Sequence, residues 1–312
     1  EQMRLMITAG LDSERYEHVI ICQEAKDPNK AELIVVGWKV REIGLAPGIL
    51  NKAWHDKAIK IARDFGPDIV HGAVYEGEAL AASIGLRLPG VKVVTEETSE
   101  PSNRRWTGNL LMFAICMVSD LSIGVSPNVV GYLRNKLHLP KHKVRLDNNA
   151  VPEVSSPSAT KLLELREELG ITEDDFIIGS VGRVFDDHKR FSDLIQAMPA
   201  LRAIHPNARL MIVGDGPDRK LLEQLAAELG VIDAVIFAGY RGNARDFYFL
   251  MDIFALASAH EAFGLVLVEA MLAEIPIVAT AVGGIPFVLD EGKCGVLVPP
   301  CSHADLGEAL SK

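Results

Sequence analysis

The sequence of 312 residues predicts an α/β fold with two doubly wound domains that face a cleft. Three observations support this. The chain is longer than a single hydrophobic core usually serves. Short β-rich runs alternate with amphipathic helices, as expected for parallel strands joined by crossover helices. A polar stretch rich in Pro and Ser, residues 149–160, separates two such alternations. We therefore predict domains at residues 1–150 and 151–312.

The first domain shows the alternation less regularly than the second. Residues 1–9 are predicted to form a helix with no strand or glycine loop before it, so that the domain's first strand and loop are missing from this sequence. The other predicted strands are 18–22, 68–70, 91–95, 121–125 and 143–146, and the predicted helices are 50–65, 77–86, 107–119 and 127–137.

The second domain has a clear βα repeat. Its helix at 217–229 should open with Pro217 and close at Gly230, because proline suits the first helical position and glycine the position after the last. A final helix from Ala304 is expected to be truncated by the end of the sequence. The remaining predictions are strands at 176–181, 209–213, 234–237, 253–256, 275–278 and 295–298, with helices at 191–204 and 265–273.

Composition excludes several classes of protein. A hydrophobic fraction of 48% with 24% charged residues is typical of a globular protein. The net charge of −10 argues against a general nucleic-acid binder. The longest apolar run, Leu110 to Val118, is far shorter than the ~20 residues that cross a bilayer, and no secretion signal is evident. The four cysteines lack zinc-site spacing and are expected to be packing residues of a cytoplasmic protein.

One basic segment interrupts this acidic composition, and it holds Arg134, Lys136, Lys141, Lys143 and Arg145. Such a segment could face anionic lipid headgroups at the inner face of a membrane, or an acidic acceptor. The alternative is an ordinary solvated helix end and turn.

A predicted helix start near Gly264 indicates an anion site. The backbone N–H groups of Phe263, Gly264 and Leu265 lack intrahelical acceptors, and the helix dipole adds positive charge there. Glu269 follows the first turn, where a carboxylate can accept the hydroxyls of a ribose. Glu261 precedes the helix and could form hydrogen bonds with a sugar or with the phosphate network. Acids near a helix start are also favoured by the dipole without any ligand.

A second strand-to-helix loop, Gly182 to Phe191, carries two cations. Arg183 and Lys189 should lie at the carboxyl edge of the sheet, where doubly wound folds bind ligands. Two cations there suit a diphosphate leaving group, and surface solvation is the alternative. Gly214 begins a third such turn, which is not a dinucleotide fingerprint because Arg219 stands where the third glycine is required.

Missing motifs narrow the chemistry further. No Asp-x-Asp occurs, so the usual acidic clamp for a metal on a nucleotide diphosphate is absent, and no metal or cofactor is expected. The P-loop, H-E-x-x-H and G-x-S-x-G motifs are also absent, which argues against kinases, metalloproteases and hydrolases.

Taken in order, the motifs resemble those of the retaining GT-B glycosyltransferases, glycosyltransferase family four, which have two Rossmann-like domains. The resemblance covers residues 176–300 and rests on Gly182-Arg183 with Lys189, residues 212–217, residues 235–239, Glu261-x7-Glu269 and residues 281–286. It implies a metal-independent enzyme that transfers a sugar, with retention, from a nucleotide-diphosphate donor to an acceptor hydroxyl in glycan, glycolipid or small-glycoside synthesis.

The resemblance also implies a role for each candidate residue. Arg183 and Lys189 would bind the diphosphate, and Glu269 would bind the ribose. Glu261 would bind the sugar and phosphates together with the backbone of Phe263, Gly264 and Leu265. Tyr240 and Arg241 would lie near the base, and Gly182 and Gly214 belong to the same donor-binding loops. The first domain would bind the acceptor, although Glu96-Glu97 stand where the family commonly has a histidine.

Two alternatives stay open at this point. One is another GT-B enzyme, a nucleotide-sugar epimerase or a phosphorylase. The other is an inactive protein that binds sugar nucleotides, which the Glu96-Glu97 departure suggests. The base, sugar, acceptor and oligomeric state are not evident from the sequence.

Overall fold

The chain divides into two compact units, Glu1–Ala150 and Val151–Lys312. A computed structural model describes residues 11–12, 14–24, 39–99 and 104–312. The helix predicted at residues 1–9 lies outside these ranges.

The first unit contains two parallel sheets. Strand β1 pairs with β2 in one, and the other has the order β3-β4-β5-β6. Strand β2 was not predicted, and the helix predicted at 127–137 is instead α4 followed by a π-helical turn, Tyr132–Lys136. The elements are β1 Val19–Cys22, β2 Lys39–Glu42, α1 Lys52–Phe65, β3 Ile69–Ala73, α2 Val74–Arg87, β4 Lys92–Glu97, α3 Trp106–Val118, β5 Leu121–Gly124, α4 Pro127–Gly131 and β6 Val144–Leu146.

Local signals set the ends of α1. The Asn51 side chain accepts a hydrogen bond of 3.0 Å from the Trp54 N–H, which satisfies one of the free amides at the helix start. Gly66 ends the helix in the left-handed conformation, with φ of 70°. Helix α1 then buries Trp54, Ala58 and Ile59 in a hydrophobic cluster.

The second unit is built on one parallel sheet of six strands. Its order is β12-β11-β10-β7-β8-β9, so that β7 lies beside β10 and the chain winds outward from this pair in both directions. The sheet is therefore doubly wound, which is the class predicted from the sequence. The elements are α5 Ala159–Leu169, β7 Phe176–Val181, α6 Asp186–Lys189, α7 Phe191–Ile204, β8 Ala208–Val213, α8 Arg219–Glu228, β9 Val235–Gly239, β10 Ile253–Leu256, α9 Leu265–Leu272, β11 Ile277–Thr280, α10 Ile285–Val288, β12 Val296–Val298 and α11 His303–Leu310.

Both faces of this sheet are buried. Neighbouring residues of a strand point to opposite faces, so Ile178 packs in one hydrophobic cluster and Ile177 in the other. Helix α7 covers the first face with Leu194 and Ile195, and α9 covers the second with Leu267. Helices on both faces leave the carboxyl edge of the sheet as the open end of the layer.

Several predicted bounds were wrong for local reasons. Helix α8 begins at Arg219, because Pro217 lies in the turn before the helix. Strand β11 begins at Ile277, because the Ile275 N–H donates to Ala270 O in the turn that ends α9. Helix α5 was missed: Ser158 caps it, so the predicted linker ends there. Cys294 and Cys301 are exposed, so the packing role expected for the cysteines is wrong for these two.

Candidate functional site

The candidate site lies where β7 and β10 run side by side. The chain leaves these two strands toward opposite faces of the sheet, which opens a crevice beyond their carboxyl ends, and doubly wound folds bind ligands in such crevices. The loop after β7 carries Arg183 and Lys189, and the loop after β10 carries Glu261. The structure therefore brings Lys189 and Glu261 together, and it places Arg183 in the same loop as Lys189.

An ion pair joins these two loops. Lys189 Nζ lies 2.6 Å from Glu261 Oε2, and the side chains are only 21% and 16% exposed. The short helix α6 positions Lys189, whose aliphatic chain passes beside Gly182. The Ala259 N–H also donates to His188 O at 2.8 Å, so a backbone bond holds the loops together next to the ion pair.

Arg183 is the exposed cation of the group. Its guanidinium carbon lies 5.9 Å from the centre of the Phe185 ring, an arrangement in which the ring face attracts the positive charge. Arg183 therefore presents hydrogen-bond donors to solvent at the same strand end that holds Lys189.

Helix α9 begins beside this pair. Gly264 has φ of 94° and precedes the first helical residue, Leu265, so the first amides of the helix have no intrahelical acceptor. Phe263 is buried and anchors the loop. Gly284 allows the loop after β11 to approach closely, because a Cβ there would lie 2.3 Å from Ala262 O. Backbone donors and the Lys189–Glu261 pair thus occupy neighbouring loops of one sheet edge.

Glu269 projects from α9 and is buried. Its carboxylate accepts hydrogen bonds from Tyr248 Oη at 2.9 Å and from Arg245 Nε at 3.3 Å. A carboxylate has about four acceptor positions, so it can still accept ribose hydroxyls. Burial, and then the charge of Glu269, raise the pKa of Tyr248 well above its ordinary value, so the phenol stays a donor.

Arg245 and Tyr248 were not among the residues predicted for the site. They lie in a 3₁₀ turn, Ala244–Leu250, between β9 and β10. Their spacing of three places them on one face of that turn, but nothing in the sequence connects that face with Glu269.

Gly214 is required by close packing between two loops of the site. A Cβ on Gly214 would lie 1.9 Å from Gly182 O, and one on Gly216 would lie 2.2 Å from Val184 O. The glycine pair after β8 therefore allows the backbone to pass against the loop that carries Arg183 and Lys189. This explains the Gly-x-Gly pattern without a dinucleotide.

Tyr240 and Arg241 lie away from the Lys189–Glu261 pair. They follow β9, the edge strand, which is two strands from β7 and hence roughly 10 Å from it. Tyr240 is exposed, while Arg241 pairs with Glu168 at 2.6 Å and donates from Nε to Ala238 O. Both residues lie at the carboxyl edge of the sheet, next to the edge strand β9 and away from β7 and β10.

The first unit has its own polar group at a carboxyl sheet edge. Glu97, which ends β4, pairs with Arg104 through a contact of 2.6 Å between Oε2 and Nη1, and both side chains are largely buried. The same Arg104 nitrogen donates to Tyr132 Oη at 3.1 Å. The adjacent Glu96 lies 2.9 Å from His71 Nε2 at the neighbouring strand.

Glu78 adds a third buried carboxyl group to this edge. Its residue is 1% exposed, and its Oε2 atom has no hydrogen-bond partner among the residues that the structure describes. Burial, and then the negative charge of Glu97, raise the pKa of Glu78 well above its ordinary value. The carboxyl edge of the first unit is therefore rich in carboxyl groups, with Arg104 as the cation inside the group.

Two side chains of the basic segment form hydrogen bonds with backbone carbonyl groups of the first unit. Arg134 donates to Val144 O, and Lys143 Nζ donates to Met117 O and Ser119 O. Lys136, Lys141 and Arg145 are exposed. Within the described ranges, no helix is both long enough and apolar enough to cross a membrane, and no cluster of three or more metal-binding side chains occurs.

Two family models match the chain. The model of glycosyl transferases group 1 matches residues 163–312, and that of glycosyltransferase family 4 matches residues 5–153. The two together span nearly the whole sequence, one for each unit.

Individual proteins agree with these matches. N-acetyl-alpha-D-glucosaminyl L-malate synthase of Bacillus anthracis is 30% identical over 77% of this chain and 64% of its own length. D-inositol 3-phosphate glycosyltransferase of Stackebrandtia nassauensis is 35% identical over 52% of this chain and 38% of its own length. The chain thus spans less than two thirds of either relative.

A solved structure supports this fold class. Anabaena HepE, crystallised with UDP and glucose, superposes with a TM-score of 0.84 at 20% identity, covering 98% of this chain and 84% of that one. The fold is the GT-B fold expected from the sequence, and the chain belongs to glycosyltransferase family four.

Proposed function

We propose that this protein is a retaining glycosyltransferase that moves a sugar from a nucleotide-diphosphate donor to an acceptor hydroxyl. The observation that carries the proposal is the Lys189–Glu261 ion pair, which stands with Arg183 beyond the paired ends of β7 and β10. Cations at this position stabilise a diphosphate as it leaves the sugar.

The chemical step needs little from the protein beyond positioning and charge. The acceptor oxygen forms a bond to the anomeric carbon while the bond from that carbon to the phosphate oxygen breaks. The acceptor proton passes to the leaving phosphate, on the same face of the sugar. Arg183, Lys189 and the first amides of α9 balance the developing negative charge. We name no enzymic nucleophile.

Glu261 and Glu269 would bind different parts of the donor. Glu261 uses one oxygen for Lys189, which leaves the other for a sugar hydroxyl. Glu269 is held by Tyr248 and Arg245 with acceptor capacity to spare, as a ribose site requires. Tyr240 and Arg241 lie farther along the same edge, where the base would reach.

The comparisons support a sugar-nucleotide donor. HepE was crystallised with UDP and glucose, and the two relatives above carry the names of glycosyl-transferring enzymes. With no Asp-x-Asp in the sequence and two cations at the site, we propose that transfer needs no metal. The cytoplasmic location expected from the sequence stays a prediction.

The first unit would bind the acceptor at the edge formed by Glu97, Glu96 and Glu78. The names of the two relatives indicate malate and inositol 3-phosphate as acceptors, both of which are anions. Here the Glu97 carboxylate is paired with Arg104, Glu96 adds a second carboxylate beside His71, and the raised pKa of Glu78 favours the protonated form of that group. This arrangement favours an acceptor that offers hydroxyl groups without a carboxylate or phosphate beside them.

Incubation with nucleotide sugars tests the proposal. The chain is mixed with UDP-glucose, GDP-mannose or ADP-glucose and a panel of neutral and anionic polyols, with and without a chelator. We expect one donor to be consumed with a neutral acceptor, unaffected by the chelator. The anomeric proton coupling of the product should show the donor's configuration.

Three outcomes would favour the alternatives. Conversion of the donor's sugar to its epimer without an acceptor would indicate an epimerase. Release of sugar phosphate that requires added phosphate would indicate a phosphorylase. Donor binding without any turnover would indicate an inactive binding protein. Inversion at the anomeric carbon would refute retention alone.

A further inference from the structure

Helix α3 of the first unit is apolar on both of its faces. Met112, Ile115 and Cys116 face the core and are buried. A second set of large apolar side chains faces outward and is exposed: Trp106, Leu110, Phe113 and Met117. Spacings of four, three and four residues place these four on one side of the helix.

The exposed set continues onto a neighbouring loop. Leu50, also exposed, lines one shallow depression together with Leu110, Leu111 and Ala114. We call Leu50, Trp106, Leu110, Phe113 and Met117 the α3 face. Contiguous apolar surface of this kind is uncommon on a monomer and marks an interaction site.

Basic residues border the α3 face at both ends. Arg105 is exposed at the start of α3. At the other end Lys143 Nζ donates to Met117 O and Ser119 O, both at 2.8 Å, so the basic segment is fastened to the end of the helix. Lys141 lies in the same turn and is exposed. Neither residues 104–118 nor residues 134–145 contain an acidic residue.

We propose that the α3 face lies on an anionic lipid surface. The apolar side chains would enter the boundary between headgroups and acyl chains, and Arg105 and Lys141 would contact the headgroups. Helix α3 has 13 residues, so it is roughly 20 Å long and lies in the membrane plane without spanning it. This inference is independent of the proposed transfer reaction.

The charge pattern favours lipid over a second copy of the chain as the occupant. In a two-fold dimer through the α3 face, each copy would place its Arg105 and Lys141 within the shared interface, where like charges repel. An anionic surface meets the same residues with opposite charge.

Sedimentation with vesicles tests the proposal. The chain is mixed with vesicles of phosphatidylcholine alone or of phosphatidylcholine with phosphatidylglycerol. We expect binding to the second kind only, weakening as salt is added. Leu110→Glu should lower the bound-to-free ratio at least about tenfold, and Lys141→Gln about fivefold.

Matched variants on the second unit serve as controls. Leu221 is exposed to 60%, the same fraction as Leu110, so Leu221→Glu should leave vesicle binding unchanged. Lys220→Gln is the corresponding control for Lys141→Gln. Near-ultraviolet circular dichroism of each variant checks that the fold is kept.

Two results would overturn the proposal. One is binding that is absent, equal for both vesicle types, or unaffected by Leu110→Glu in a folded protein. The other is a stable dimer in solution that Leu110→Glu dissociates, because the α3 face would then be covered by a second copy.

Discussion

Lys189 and Glu261 come from loops 72 positions apart in the sequence, yet their charged atoms lie 2.6 Å from each other at the paired ends of β7 and β10. Both side chains are largely shielded from solvent, so this pair contributes to the structure as well as to the candidate site. Removing one partner leaves the other charge poorly solvated, which is the costly change for a shielded ion pair.

A double-mutant cycle measures that coupling. We expect Lys189→Met and Glu261→Gln each to lower the free energy of unfolding by roughly 1–3 kcal/mol, and the double variant to lose less than the sum. Urea unfolding of the four proteins gives the values. Strict additivity would show that the two side chains do not interact in solution.

Glu269 should distinguish a nucleoside diphosphate from pyrophosphate. Glu269→Gln is expected to weaken the binding of the matching nucleoside diphosphate about tenfold, because one charged acceptor of the ribose hydroxyls is lost. Pyrophosphate has no ribose, so its affinity should stay the same. Calorimetric titration of both ligands measures this, with the exposed Glu228→Gln as the control. Equal losses for both ligands would place Glu269 at the phosphates.

Substitutions at Gly214 and Gly230 compare the stability cost of a steric overlap with the cost of backbone strain alone. Both Gly214 and Gly230 have positive φ, 140° and 68°, but a Cβ would lie 1.9 Å from Gly182 O at the first and meet nothing within 4 Å at the second. We expect Gly230→Ala to cost about 1 kcal/mol and Gly214→Ala about 3 kcal/mol or more. Similar losses in denaturant unfolding would contradict the close approach of the two loops.

The raised pKa of Glu78 predicts that the stability of the first unit depends on pH. Below about pH 4.3 the carboxyl group is protonated in both the folded and the unfolded chain. Between that pH and its raised pKa in the folded state, only the unfolded chain releases the proton, so the free energy of unfolding falls by up to about 1.4 kcal/mol per pH unit.

The variant Glu78→Gln removes that loss. Its stability relative to the unaltered protein should rise as the pH increases from about 4.3, and then level off above the raised pKa. Calorimetric unfolding of both proteins across this range provides the comparison. A difference that does not vary with pH would mean that Glu78 ionises normally in the folded state.

Much of the second unit could be predicted because its signals are local. Strand β7 and helix α7 have the predicted bounds, since their apolar spacing is regular and their ends are marked by a charged loop and by His205-Pro206. The doubly wound class of the sheet also follows from the βα alternation. Candidate residues in strand-end loops could be found for the same reason, because parallel strands bring their carboxyl ends to one edge.

Contacts between distant segments could not be predicted in the same way. Tyr248 and Arg245 reach Glu269 from another turn, and no spacing in the sequence records that approach. Arg104 and Glu97 are seven residues apart, but the role of Arg104 depends on how Tyr132 packs beside it. Such partners are set by tertiary packing, which periodicity and motif spacing do not describe.

The most direct test of the central claim is calorimetric titration of UDP, GDP, ADP and NAD into this chain without metal, repeated with Lys189→Met and with Lys220→Met as the exposed control. The proposed donor site predicts that one nucleoside diphosphate binds selectively, that Lys189→Met weakens it at least about tenfold, and that Lys220→Met does not. Binding of NAD alone, or of none of the four by a folded protein, would contradict it.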